Sequence, residues 1–154
     1  MKTLGLVTVL VAQVVLAKGA LDVKVSGAEL TALQREIAAA KKANPQAFVA
    51  VAQVRAQMAA IDANKRGRFA PVTPRLNSIP NATWALAEAI AFDGALDETL
   101  PASAHIAWQS GLLEALGERR DVKTEAVLIA ALATESSPEV LRSAADGLGR
   151  LGTD

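Results

Sequence analysis

Apolar residues recur at steps of three and four through most of this chain, the spacing that lines one face of an α-helix. Ser26-Gly27-Ala28-Glu29 has the S-x-x-E form of a capping box, and Leu30, Leu33, Ile37 and Ala40 follow it at helical steps. Asn44-Pro45 then restarts a helix, Asn as N-cap and Pro in the first turn, where its missing N–H costs nothing. Phe48, Val51, Val54, Met58 and Ile61 line the face of that second helix. A joint this short predicts an antiparallel helical hairpin within residues 18–63.

The pattern breaks over residues 64–80. Lys65, Arg66, Gly67 and Arg68 lead to Pro71, Pro74 and Pro80, which predicts an extended Pro-rich connector that packs Phe69 and Leu76 onto its neighbours. Helical periodicity resumes at residue 81. A helix over 81–92 turns Trp84, Ala87 and Ile90 or Ala91 inward. A loop through Asp93-Gly94 leads to a helix over 101–116 with Ile106, Leu112, Leu113 and Leu116 inward, ended by Gly117 as a left-handed C-terminal residue. Asp121 caps the next helix, where Val122, Ala126, Ile129 and Ala133 share a face widened by Leu128 and Leu132. Ser137-Pro138-Glu139 opens the last helix, with Val140, Leu141, Ala144, Ala145 and Leu148 toward its predecessors.

Leu116–Gly117 and Leu148–Gly149 lie 32 positions apart, each closing an apolar helical run. A fixed period of this size marks stacked helix pairs. Ser137-Pro-Glu-Val-Leu-Arg-Ser-Ala-Ala-Asp-Gly-Leu-Gly-Arg-Leu-Gly152 resembles the second helix of a HEAT-like repeat, of the short kind found in phycobilisome-lyase-type arrays. Residues 107–121 match more loosely, with Arg119-Arg120 in place of a second Leu-Gly. The resemblance covers about residues 81–154. It implies two HEAT-like helix pairs and, by family habit, a protein-binding or scaffolding role, with the helices at 101–116 and 138–149 on the concave face. No functional residue transfers with it. Polar positions on those helices make Gln109, Glu114 and Arg142 the candidate partner contacts. Two copies fall short of the three or so that a free-standing array needs, so the array is either capped by the N-terminal hairpin or incomplete.

Met1-Lys2, the uncharged Val/Leu-rich run to Ala17 and the polar turn at Lys18 have the three regions of a secretory signal peptide. The run is too short to span a bilayer as a helix. It predicts export, with cleavage after Ala17 and a periplasmic or secreted bacterial-type protein.

Composition narrows the chemistry. Alanine supplies much of an apolar half while aromatics are 3% of 154 residues, which favours closely packed helices over a sheet. With no cysteine, disulfides, thiolate catalysis and Cys-ligated metals are excluded. The zero formal charge hides a split. Residues 18–80 hold ten basic and four acidic side chains, a net of +6, and residues 81–154 hold five and twelve, a net of −7. Neither half has a dense single-sign block, so the two are read as neutralising each other, and the lone basic cluster around Lys65 to Arg75 falls short of a nucleic-acid face.

Several apparent motifs lose on context. Gly147-Leu-Gly149-Arg-Leu-Gly152 spells G-x-G-x-x-G, but it closes a helix instead of opening one, so no helix N-terminus is there to hold a pyrophosphate. His105, the single histidine, has no nucleophile or orienting partner in a recognisable frame. Asp93, Asp97 and Glu98 lack calcium-loop spacing. Asn81-Ala-Thr83 is a chance glycosylation sequon, and Trp84 and Trp108 read as core.

The sequence therefore predicts an all-α protein: an antiparallel helical hairpin, a connector, then a short α-solenoid of two HEAT-like helix pairs. Its expected function is non-catalytic protein–protein binding or scaffolding, with no catalytic residue, cofactor or metal assigned. The rival expectation is a lyase-associated enzyme or enzyme accessory acting on a tetrapyrrole or protein substrate.

Overall fold

A computed structural model describes residues 27–65, 71–92, 100–134 and 137–152. The chain is all-α, and the described residues contain no strand. Ser26, Phe69, the export-like run and the acidic residues Asp93, Asp97 and Glu98 lie outside the described residues.

Helix α1 (Gly27–Ala43) buries Leu33 and Ile37, with Leu30 and Ala40 half-buried beside them, the face that the spacing predicts. The second predicted helix is two: α2 (Pro45–Ala56) and α3 (Met58–Ala63). Gln57 divides them, at φ −91° and ψ −4°, and its N–H reaches back three residues to the Val54 carbonyl. This tightened turn re-aims the chain so that Met58 is fully buried and Ile61 nearly so. Asn44 holds the N-cap position, though its side chain bonds nothing in the helix. Helices α1 and α2 contact each other and both lie on the next long element.

The predicted extended connector contains a packed helix, α4 (Thr73–Asn77), between buried Val72 and Ile79. Pro74 does not prevent it, because a proline in the first helical turn withholds an N–H that no carbonyl would have received. Leu76 is wholly buried, as expected of it. Pro80 and Asn81 then turn the chain, Asn81 taking the left-handed conformation at φ 53° that asparagine tolerates well.

Helices α5 (Thr83–Phe92) and α6 (Ala102–Glu118) form one pair, and α7 (Glu125–Thr134) and α8 (Pro138–Leu151) another. Helix α6 is central: it packs on α3, α4, α5 and α8, and α5 touches α7, so like elements of the two pairs meet. Trp108 is core at 3% exposure, while Trp84 is half-buried.

The glycines correct the sequence reading. Gly117 does not end α6; it lies inside it, and a Cβ there would collide with Gly147 Cα and sit 2.9 Å from the Gly147 carbonyl oxygen. A Cβ on Gly147 would in turn lie 3.1 Å from the Leu113 carbonyl oxygen. Two bare glycines thus let the backbones of α6 and α8 touch. The left-handed residues after the two helices are Arg120, at φ 53°, and Gly152, at φ 67°. They too stand 32 positions apart, so the period holds for the helix ends although the Leu-Gly pairs are not the ends.

Helix α7 presents a face rotated from the predicted one, with Leu128 the one residue of the predicted face that is buried. Val122, Ile129 and Leu132 are exposed, as is Ala133, while Val127, Leu128, Ala130 and Ala131 are buried. A 3-10 turn over Val122–Thr124, capped by Asp121 through the Lys123 N–H at 3.1 Å, shifts the helical phase. Thr124 can be buried because its hydroxyl donates to the Asp121 carbonyl at 2.8 Å. Helix α8, by contrast, buries Val140, Ser143, Ala144, Gly147 and Leu151 and turns Arg142, Asp146 and Arg150 to solvent.

Candidate functional site: a polar groove between α6 and α8

On α6 the positions 111, 114 and 118 recur at helical steps and, with Arg119 just past the helix end, point toward α4. Gly111 leaves room for Val72, whose Cβ would lie 2.7 Å from an added side chain. Thr73 donates to Glu114 Oε2 at 2.7 Å, Asn77 donates to Glu118, and Arg119 Nη2 donates to the Leu76 and Ile79 carbonyls, each at 3.0 Å. Arg119 therefore caps the C-terminal end of α4, where a cation meets backbone carbonyls at the negative end of the helix dipole. This residue departs from the repeat pattern in the sequence, and the departure holds a neighbouring helix.

Helix α8 supplies the opposite wall. Ser143 donates to Glu114 Oε1 at 3.2 Å, so both oxygens of Glu114 are engaged, one by α4 and one by α8. Beyond this tie the two helices diverge into an open groove of about 270 Å³, lined by Thr73, Ser110, Glu114, Glu139, Arg142 and Asp146 among others. The Ser110 hydroxyl is buried there with no hydrogen-bond partner among the described residues. Glu139 is exposed at the rim. Its own backbone N–H and the Ser137 hydroxyl, at 2.8 Å, hold its carboxyl below the ordinary glutamate value, so it stays ionised. Arg142 pairs with Asp146 one turn on at 3.8 Å, and both are well exposed, which leaves the pair weak and able to exchange partners. At the far end Arg150 reaches Glu118 at 2.6 Å.

Of the three candidate contacts read from the sequence, Glu114 and Arg142 line this groove together. Glu114 is half-buried and its two internal bonds make it a brace between helices. Gln109 is half-buried on α6 and is not among the groove's lining residues. Sequence reasoning missed Glu139, Asp146, Ser110 and Thr73. The signal for Glu139 and Asp146 was present: positions 139, 142, 143 and 146 share one stripe of the last helix. Thr73 had no such signal, since its approach depends on the fold of the connector.

The G-x-G-x-x-G string ends α8, with Gly152 as its left-handed terminal residue. His105 is half-buried on α6 and is not among the residues that line this groove. Among the described residues no group of three or more His, Asp or Glu side chains is disposed to hold a metal ion, and no helix is long and apolar enough to cross a membrane. No protein-family model, curated protein or solved structure matches this chain.

Proposed function

We propose that this chain is a non-catalytic protein-binding module built on two HEAT-like helix pairs, and that its partner docks in the groove between α6 and α8. The observation that carries the reading is the groove itself: an open polar trough between equivalent helices of successive pairs, with a braced carboxylate at its base and exchangeable charges at its rim. The contacts of α6 with α8 and of α5 with α7 support the repeat reading, as does the 32-residue spacing of Arg120 and Gly152. The export-like N-terminal run favours a partner outside the cytoplasm.

A photo-crosslinking residue at position 146 in the full chain tests the proposal. The expected product is one cross-linked protein species, whose purified form binds the unmodified chain. Combined Glu139→Lys, Arg142→Glu and Asp146→Lys substitutions are expected to weaken that binding by ~10-fold or more, equivalent to ~1.4 kcal/mol, with circular dichroism unchanged. Undiminished binding by this variant would remove the groove as the docking surface.

A further inference from the structure

On α6, Leu113, Glu114, Gly117 and Glu118 hold α8. Leu113 and Gly117 lie against Gly147, Glu114 accepts from Ser143, and Glu118 accepts from Arg150. At the positions 32 residues further on, α8 carries Ala145, Asp146, Gly149 and Arg150, and all of them are exposed. The glycines show the difference most directly. The Cβ that would collide with a neighbouring helix at Gly117 would meet nothing within 4 Å at Gly149. Helix α8 therefore turns to solvent the surface with which α6 receives a helix.

Helix α7 adds apolar bulk beside it. Of the large apolar side chains exposed among the described residues, Val122, Ile129 and Leu132 belong to α7 and its lead-in turn, at 57%, 51% and 39% exposure. Ala133 is exposed with them, and Val49, the remaining one, lies on α2. On the flank of α8, Leu141 and Leu148 stand half-buried in line with exposed Ala145. The outer face of this helix pair is thus bulky along α7 and smooth along α8, at Ala145 and Gly149. An apolar face of this kind on a terminal pair marks an interaction surface.

We infer that the outer face of α7 and α8 is a self-association surface and that its occupant is a second copy of this chain. Bulk on one helix and bare backbone on the other make the face complementary to itself. Three residues separate α7 from α8, so the two run antiparallel. A two-fold axis along them sets α7 of each copy on α8 of the other, the isologous arrangement commonest among dimers. Ile129 and Leu132 then meet Leu141 and Ala145 of the second copy, and the same contact recurs across the axis. The face is small. Helix α8 is about 21 Å long and two packed helices are about 20 Å wide, so each copy contributes roughly 400 Å². The total of about 800 Å² lies below the ~1,200–2,000 Å² of stable complexes, which sets a dissociation constant on the order of 10–100 μM. Below that concentration the chain is monomeric, and the contact adds nothing to stability measured there. The surface adjoins the α6–α8 groove only along the edge of α8 that carries Asp146, and it stands independently of the docking proposed there.

Sedimentation velocity of the full chain from ~1 to ~300 μM tests this, and a reversible equilibrium that stops at two copies is expected. Amide NMR spectra over the same dilution locate the contact, with shifts expected over residues 122–133 and 141–152 and none over α1 or α2. Ile129→Glu and Ala145→Lys replace exposed residues, and each is expected to weaken association by ~10-fold or more with circular dichroism unchanged. Val49→Glu, on α2, is expected to leave it as in wild type. Mixed in equal amounts, the Ile129→Glu and Ala145→Lys chains are expected to pair at concentrations where neither pairs alone. In that heterodimer one of the two contacts is wild type and the other sets Glu against Lys. The inference is overturned by a chain that stays monomeric at ~300 μM, or by association that Ile129→Glu and Ala145→Lys leave intact. It is equally overturned by dilution shifts confined to other helices, or by a mixture that recovers no dimer. Positions 129 and 145 do not line the α6–α8 groove, so failure here leaves that reading standing.

Discussion

Asp62 is a nearly buried carboxylate at the end of a six-residue helix, a position that costs stability unless the charge is met. Two groups meet it. Lys65 Nζ stands 2.6 Å from Oδ1, and the Ser103 hydroxyl donates to Oδ2 at 2.7 Å, so the carboxylate ties α3 to the first turn of α6 and faces the positive end of that helix dipole. The bonds from Lys65 and Ser103 hold its carboxyl below the ordinary aspartate value, against a smaller opposing effect of burial. With the folded value depressed, the stability that Asp62 contributes is complete above the unfolded aspartate value and is lost as the pH falls through the folded one. Asp62→Asn is therefore expected to cost about 1–3 kcal/mol at neutral pH. The gap to wild type should narrow on acidification to about pH 3. Urea midpoints across that range check it, and a gap independent of pH would show that the ionised form contributes nothing. Arg119 teaches the same lesson: as sequence it is a gap in a repeat pattern, and its role as the cap of α4 depends on where the connector folds.

At the scale of elements, helices with a polar side were legible and helices without one were not. Leu33 and Ile37 on α1, and Val140 and Ala144 on α8, are buried as their spacing predicts, because charged neighbours leave only one apolar stripe. Helix α7 reads Ala126-Val-Leu-Ile-Ala-Ala-Leu-Ala133, apolar all round, and such a run does not specify which side faces the core. Tertiary packing and the 3-10 turn before it made the choice. The observed facing makes a sharp contrast between neighbours. Leu128, wholly buried and against Gly147, is expected to lose about 2–5 kcal/mol as Leu128→Ala. Ile129, 51% exposed, is expected to stay within about 0.5 kcal/mol as Ile129→Glu. Denaturant unfolding of the two variants checks the phase directly, and a loss at Ile129→Glu as large as that at Leu128→Ala would restore the face predicted from spacing alone. The connector failed for another reason: prolines mark where a helix cannot continue, but they do not forbid one from starting. The groove was legible in its α8 stripe and illegible in its α4 wall.

Across the whole molecule, α6 joins two bodies of structure. One is the N-terminal set, α1 to α5, packed on or through α6; the other is the pair α7 and α8, attached mainly where α8 crosses α6. That crossing depends on the absence of two side chains. Gly117→Ala would drive a methyl group into the Gly147 backbone, which no rotamer change can relieve, so α8 must move away. A cost of about 1–3 kcal/mol follows, at the upper end because the obstacle is backbone. Gly149 lies in the same helix as Gly147, exposed, and a Cβ added there would have nothing within 4 Å. Gly149→Ala is accordingly expected to stabilise by about 0.5–1 kcal/mol, since alanine loses less backbone entropy in a helix. Two glycines of one repeated motif are thus expected to respond with opposite sign. The loss at Gly117 should also be uneven. If each helix pair is stabilised chiefly by its neighbour, amide hydrogen exchange in Gly117→Ala accelerates over α7 and α8 while the amides of α5 keep their protection. Equal acceleration in both pairs would mean that the described helices open as one cooperative unit, and that the 32-residue period governs geometry without dividing stability.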